Sequence, residues 1–116
     1  MSGACCTLLK AYFKEDFVIP EPVVASPDGL DLERYSGPPF TVGAELNKLA
    51  SNIAIARNFA GIHWRTDASE GLRLGEQVAI HALKDIATCY SEDFGGFTFT
   101  KFDGTRVTVS KDGTVS

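Results

Sequence analysis

The sequence predicts a mainly α-helical fold, a helical-bundle fragment with a long Pro-rich loop and a C-terminal β-hairpin. Three observations carry that expectation. Apolar residues recur at spacings of three and four across residues 42–59 and again across 68–90, the period of an amphipathic helix. All five prolines fall between residues 15 and 40. Beyond residue 96 the apolar period changes to two, the alternation of a strand.

Taken in order, residues 2–14 are small and apolar (Ala4, Leu8, Leu9, Ala11, Tyr12) and read as a helix. Natural N-termini are usually polar and frayed, so this core-like opening reads as the inside of a protein. Residues 15–40, with Pro20, Pro22, Pro27, Pro38 and Pro39, predict an extended, irregular connection, long enough to suggest function or packing against other structure. Thr41 is the expected N-cap of a helix over 42–59, with Leu46, Leu49, Ile53 and Ala56 as its apolar stripe. Gly61 interrupts the pattern. Asp67 followed by Glu70 resembles a capping box and predicts a helix over 68–90, with Leu72, Ala79, Leu83 and Ile86 facing the core. Gly71 and Gly75, one turn apart, would admit a close neighbouring helix. A hairpin is expected over 97–110, where Phe97, Phe99, Val107 and Val109 alternate with polar residues around the turn signal Asp103-Gly104. Asp112-Gly113 offers a second turn. So small a hairpin needs helices or another chain to pack on.

At 116 residues the chain fits one small domain or a piece of a larger one. Its 44% hydrophobic and 22% charged content is that of a globular chain and argues against disorder over the whole length. A net charge of −4 gives no general attraction to nucleic acid or to an anionic membrane, so neither is an expected partner, although a local basic pocket is compatible with it. No apolar run reaches the roughly 20 residues of a membrane span, and residues 1–10 show no secretory signal; cellular location is left unassigned. Cys5, Cys6 and Cys89 show no metal-ligand spacing. They read as reduced and mostly buried, with a disulfide through Cys89 as the lesser alternative.

The chemistry concentrates in Arg57-Asn-Phe-Ala-Gly-Ile-His63-Trp-Arg-Thr-Asp67. An oxyanion needs fixed positive charge and forked donors, which arginine supplies better than lysine. A histidine near a helix N-terminus attacks or coordinates the central atom through one ring nitrogen when an acceptor holds the other. On one continuous helix Arg57 and His63 would lie roughly 240° apart. A break at Gly61 lets His63 fold back toward Arg57, and Asp67 could then both cap the next helix and accept the His63 proton. Structural readings stand beside these: Arg57 as a solvated helix end, Asp67 as an N-cap only, His63 as a hydrogen-bonded core residue. His81, between Ala79 and Leu83, lacks an acid or cysteine partner. Trp64 and Arg65 could line a pocket or belong to the core, Lys48 reads as a solvated face residue, and Glu45 and Asn47 are candidates for supporting contacts.

The spacing Arg57-x5-His63-x3-Asp67 resembles the third signature motif of the superfamily that unites type 2 phosphatidic acid phosphatases with vanadium haloperoxidases. The likeness to algal-type vanadium-dependent bromoperoxidases is closer and extends over nearly the whole chain. It runs through Thr41-Val-Gly-Ala-Glu-Leu-Asn-Lys-Leu-Ala-Ser-Asn52, Gly61-Ile-His-Trp-Arg-Thr-Asp67 and Gly71-Leu-Arg-Leu-Gly-Glu76, and includes the Pro-rich loop and the terminal Asp-Gly hairpin. The resemblance implies the C-terminal part of a helical-bundle enzyme that binds vanadate and oxidises halide, bromide by preference, with hydrogen peroxide. By carry-over His63 would be the axial ligand to vanadium, Arg57 a donor to a vanadate oxygen, and Asp67 the residue that orients His63.

Two further motifs of the superfamily are missing: a lysine followed by Arg-Pro, and a Pro-Ser-Gly-His segment. Ser2-Gly3-Ala4 is similar instead to a segment just downstream of the latter, so the chain is expected to begin a few residues after that motif. One arginine and one histidine replace the hydration of a concentrated anion poorly. The expectation is therefore weak vanadate binding and little peroxidase activity by this chain alone. Uncovered apolar stripes predict a homo-oligomer or association with a chain carrying the N-terminal motifs. Two rivals remain: an acid phosphatase with His63 as nucleophile, and a non-catalytic assembly module.

Overall fold

The computed structural model describes residues 1–116. Three helices, α1 (Ser2–Tyr12), α2 (Val42–Phe59) and α3 (Arg65–Thr88), are joined by two small antiparallel strand pairs, β1 (Val23–Ala25) with β2 (Leu32–Arg34) and β3 (Phe97–Thr100) with β4 (Arg106–Val109).

Helix α2 starts where the Thr41 hydroxyl accepts the Ala44 N–H at 3.2 Å, a side-chain cap for an otherwise orphan donor. It stops at Ala60, and Gly61 follows at φ 68, a backbone turn that suits glycine. Helix α3 begins at Arg65, three residues before the expected start. Asp67 is not its N-cap. It sits inside the first turn, where its Oδ2 accepts the Trp64 N–H at 3.1 Å and its charge complements the helix dipole. The far end closes at Thr88, not at residue 90, as three-residue backbone bonds from Cys89 and Tyr90 tighten the last turn. Tyr90 then stacks on Phe94, ring centroids 4.3 Å apart. Helix α1 ends at Tyr12, short of residue 14, because Phe13 is already extended.

Gly3 and Gly75 let α1 and α3 cross with their backbones nearly touching. A β-carbon on Gly75 would lie 2.8 Å from the Ala4 nitrogen, and one on Gly3 would lie 2.5 Å from the Leu72 carbonyl oxygen. Gly71 takes no part in this crossing, contrary to its expected role, since a β-carbon there would meet nothing within 4 Å.

The main core lies between α3 and the terminal hairpin. Phe97, Phe99, Val107 and Val109, on one face of β3–β4, pack with Leu83 and Ala87. On the opposite face the Thr98 and Thr108 hydroxyls pair at 3.2 Å. Gly104 (φ 86) makes the expected turn. Gly113 (φ 80) makes the second, which brings Val115 back onto Val109.

A buried polar hub ties this hairpin to all three helices. Lys10, 1% exposed, donates from Nζ to the Thr100 carbonyl (2.6 Å) and to Asn47 Oδ1 (3.1 Å), with the Phe102 ring 4.3 Å away. The Thr100 N–H and hydroxyl donate to the Glu15 carboxylate, and the Phe102 N–H donates to Glu76 Oε1 at 2.7 Å. Paired in this way, buried charges avoid the penalty of an unsatisfied ion.

Within the expected extended, irregular Pro-rich connection a short, interrupted two-stranded ladder forms, and the rest is irregular. The base of the ladder is closed by the Val42 N–H donating to the Phe17 carbonyl and the Ile19 N–H to that of Phe40. After a proline-rich interruption it resumes as β1–β2. Much of the remaining apolar surface is uncovered. Of the α2 stripe, Leu49 and Ile53 are about half exposed, and Leu74 and Val78 of α3 are more so.

Candidate active site

The break at Gly61 folds the chain back as its residue type requires. The Gly61 N–H donates to Asn58 O and the Ile62 N–H to Arg57 O, so the last turn of α2 wraps onto itself. Extended backbone at Trp64 (ψ 157) then leads into α3. The outcome is a solvent-open cleft of about 240 Å³ that Arg57, His63 and Asp67 all line. Ser2, at the start of α1, borders the same cleft, and Ile53 and Leu72 form part of its apolar wall.

Within it, His63 Nδ1 lies 3.4 Å from Asp67 Oδ2. That is longer than a well-formed hydrogen bond but within ion-pair reach. The same carboxylate oxygen accepts the Trp64 N–H, so the first turn of α3 fixes the acid and the acid faces the imidazole. Nδ1 is therefore the ring nitrogen turned to an acceptor, and Nε2 is the one left for another partner. Both side chains are close to half exposed, 44% and 51%. Water competes for this pair, whose worth is that of a surface contact, at most about 1 kcal/mol.

The other candidates separate from the cleft. Trp64 is 80% exposed and belongs neither to the cleft nor to the core. Arg65 borders a different depression, with Ile55, Asn58 and Phe59. His81 Nδ1 sits 2.8 Å from the carbonyl of Gln77 on its own helix, with no acid beside it. Glu45 pairs with Lys48 at 2.7 Å, and the Lys48 ammonium sits over the Phe40 ring, so both are surface contacts. Asn47 serves the Lys10 hub and not the cleft. The three cysteines are free, and Cys5 and Cys89 are exposed, contrary to the expectation of burial. Cys6 is buried, and burial pushes its thiol pKa up.

Sequence reasoning missed Ser2 and the apolar wall of the cleft, because neighbours from α1 and α3 are distant in the chain. It also missed Lys10, Glu15 and Glu76, whose pairing exists only in three dimensions. No three His, Cys, Asp or Glu side chains converge as a ligand set for a metal cation. The donors in the cleft are a guanidinium and an imidazole, a set suited to a negatively charged oxyanion.

No protein-family model matches the chain. Against curated proteins it is 45% identical over 111 residues to the vanadium-dependent bromoperoxidase of Corallina officinalis, covering 94% of the chain and 18% of that protein. The same identity and coverage hold for the vanadium-dependent bromoperoxidase of Corallina pilulifera. For that of Ascophyllum nodosum the identity is 37% over 116 residues, 97% of the chain and 21% of the relative. The chain thus spans about a fifth of the length of the curated relatives it matches.

Proposed function

The chain is a relative of the vanadium-dependent bromoperoxidases along nearly its whole length, and from that kinship we propose that it carries the vanadate-anchoring part of a haloperoxidase site. The observation that supports this reading most is the convergence of Arg57, His63 and Asp67 on one cleft, with the imidazole turned toward the carboxylate. Those residues fit an oxyanion, as a partial set. Arg57 offers a forked, permanently charged donor to its oxygens. Asp67 holds the Nδ1 side of His63, which keeps the Nε2 lone pair available to the central atom. Vanadate, when bound, supplies a Lewis acid at which hydrogen peroxide is activated toward bromide.

The set is small for a concentrated anion in a half-exposed cleft, because water around His63 and Asp67 screens what two donors provide. Turnover in this reading needs further donors, from a longer chain or from an associated one. The purified chain, assayed for peroxide-dependent bromination with added vanadate, is expected to stay near background. Robust turnover that disappears in His63→Ala would overturn the incompleteness and keep the site. Turnover indifferent to His63→Ala would overturn the site itself. No helix is long and apolar enough to cross a membrane.

A further inference from the structure

A second cavity, of about 280 Å³, lies further along α3 than the cleft and shares only Leu72 with it. Arg73 and Glu76 of α3 line one side, and Lys101, Phe102 and Asp103 of the β3–β4 turn line the other. Glu76 is 4% exposed, and the polar hub occupies its Oε1 alone, through the Phe102 N–H at 2.7 Å. Oε2 has no partner in the chain. It is not sealed in either, since the buried side-chain atoms without a partner are Thr7 Oγ1 and Asn58 Oδ1. Oε2 therefore opens on the cavity that Glu76 lines. Lys10 and Lys101 are near enough to attract this carboxylate but do not pair with it, because Lys10 donates to Thr100 and Asn47, and Lys101 to Asp103. A carboxylate withdrawn from water with one oxygen unbonded calls for a donor.

The charges around Glu76 select the donor. Two carboxylates, Glu76 and Asp103, and two cations, Arg73 and Lys101, balance in the cavity wall. A bare cation there meets the repulsion of Arg73 and Lys101, and a bare anion that of Glu76 and Asp103. A molecule with an ammonium at one end and a carboxylate at the other meets neither. Arg73 can take the carboxylate: its Nη1 binds Glu70 at 3.0 Å, and its Nη2 has no partner. Arg73 and Glu76 are i,i+3 neighbours on α3, with β-carbons roughly 5–6 Å apart, a span that one α-amino acid bridges. Leu72 and the Phe102 ring add apolar wall for a short aliphatic side chain. The volume lies just under the roughly 300–1,000 Å³ of drug-sized ligand sites, which suits so small a molecule.

We propose that this cavity binds a free α-amino acid with a small aliphatic side chain, its ammonium donating to Glu76 Oε2 and its carboxylate accepting from Arg73. The site stands apart from the oxyanion reading, because Arg57, His63 and Asp67 do not line it. Titration of the isotope-labelled full chain with L-valine, followed by amide NMR, tests it, and the Phe102 N–H reports directly because it is bonded to Glu76. L-valine is expected to shift that resonance saturably. Isobutylamine and isovalerate, which keep the side chain but lack the carboxylate or the ammonium, should each bind at least about tenfold more weakly, the worth of one charge-assisted hydrogen bond. Glu76→Gln and Arg73→Met should each weaken L-valine binding at least about tenfold for the same reason. Glu76→Gln retains an oxygen to accept the Phe102 N–H. Arg73 is a surface side chain, 71% exposed, so Arg73→Met keeps the fold and decides the matter alone if Glu76→Gln unfolds. No saturable shift with L-valine would overturn the proposal, as would equal binding by Arg73→Met and the wild type. Isobutylamine bound as tightly as L-valine would also overturn it, and would mark a simple cation site.

Discussion

Replacing Gly75 by alanine and, separately, Gly71 by alanine applies one chemical change to two turns of the same helix with opposite consequences. In an exposed helix interior Gly→Ala stabilises by about 1 kcal/mol, because alanine loses less backbone entropy. At Gly71 nothing lies within 4 Å of the new methyl, so the gain of about 1 kcal/mol is realised whole. At Gly75 the methyl would lie 2.8 Å from the Ala4 nitrogen and 3.3 Å from the Gly3 α-carbon, and the obstacle is backbone, which cannot rotate away. Helix α1 must move off α3, and overpacking of this kind costs about 1–3 kcal/mol. The net change is a destabilisation of about 1 kcal/mol, reaching about 2 kcal/mol if α1 cannot re-seat. At about 4 °C per kcal/mol for a chain near this size, G71A should raise Tm by about 4 °C and G75A should lower it by about 4–8 °C. Thermal unfolding followed by far-ultraviolet circular dichroism reads both. Shifts of the same sign in the two variants would refute the account of the α1–α3 crossing.

Two further outcomes concern charge. Burial holds the Lys10 ammonium pKa below its usual 10.5, with Glu76 and Glu15 pulling it back up. The folded state therefore releases this proton more readily than the unfolded one, and the stability difference between the wild type and Lys10→Met should move in favour of the wild type as pH rises toward 10.5. Denaturant melts at a series of alkaline pH values check the sign, and a shift toward the variant would contradict it. At the hairpin turn, hydrogen bonds from Lys101 and from Thr105 hold the Asp103 carboxyl well below the usual carboxylate range. That contribution is present above pH 3.8 and is lost only as pH falls through the depressed folded value. An NMR titration of Asp103 with a midpoint at or above 3.8 would remove this account of the turn.

What the sequence made legible was local. Thr41 signalled the start of α2 because a side-chain cap is a contact over three residues, and Asp103-Gly104 signalled its turn because glycine readily takes φ 86 there. The grouping of Arg57, His63 and Asp67 was legible through Gly61, whose positive φ reverses the chain within a few residues. Asp67 was misassigned as an N-cap because a carboxylate serves a helix start from the cap or from the first turn, and only the Trp64 N–H direction distinguishes them. The pairing of Val23–Ala25 with Leu32–Arg34 inside the irregular connection was hidden by the prolines around it. Lys10 was hidden for the opposite reason. A lysine in an apolar helix reads as surface, and its carboxylate neighbours Glu15 and Glu76 come from two other parts of the chain.

The central claim is that Arg57 and His63, held by Asp67, form an oxyanion anchor. Trp64, the sole tryptophan, adjoins His63 in the chain but lies outside the cleft and is 80% exposed, so its emission is a secondary readout beside calorimetry. The most direct test is a titration of the purified chain with orthovanadate, followed by calorimetry and by Trp64 emission, and repeated with His63→Ala. The account predicts weak, saturable binding by the wild type that falls at least about tenfold in the variant, equivalent to about 1.4 kcal/mol or more. Binding of equal strength in both proteins would contradict it.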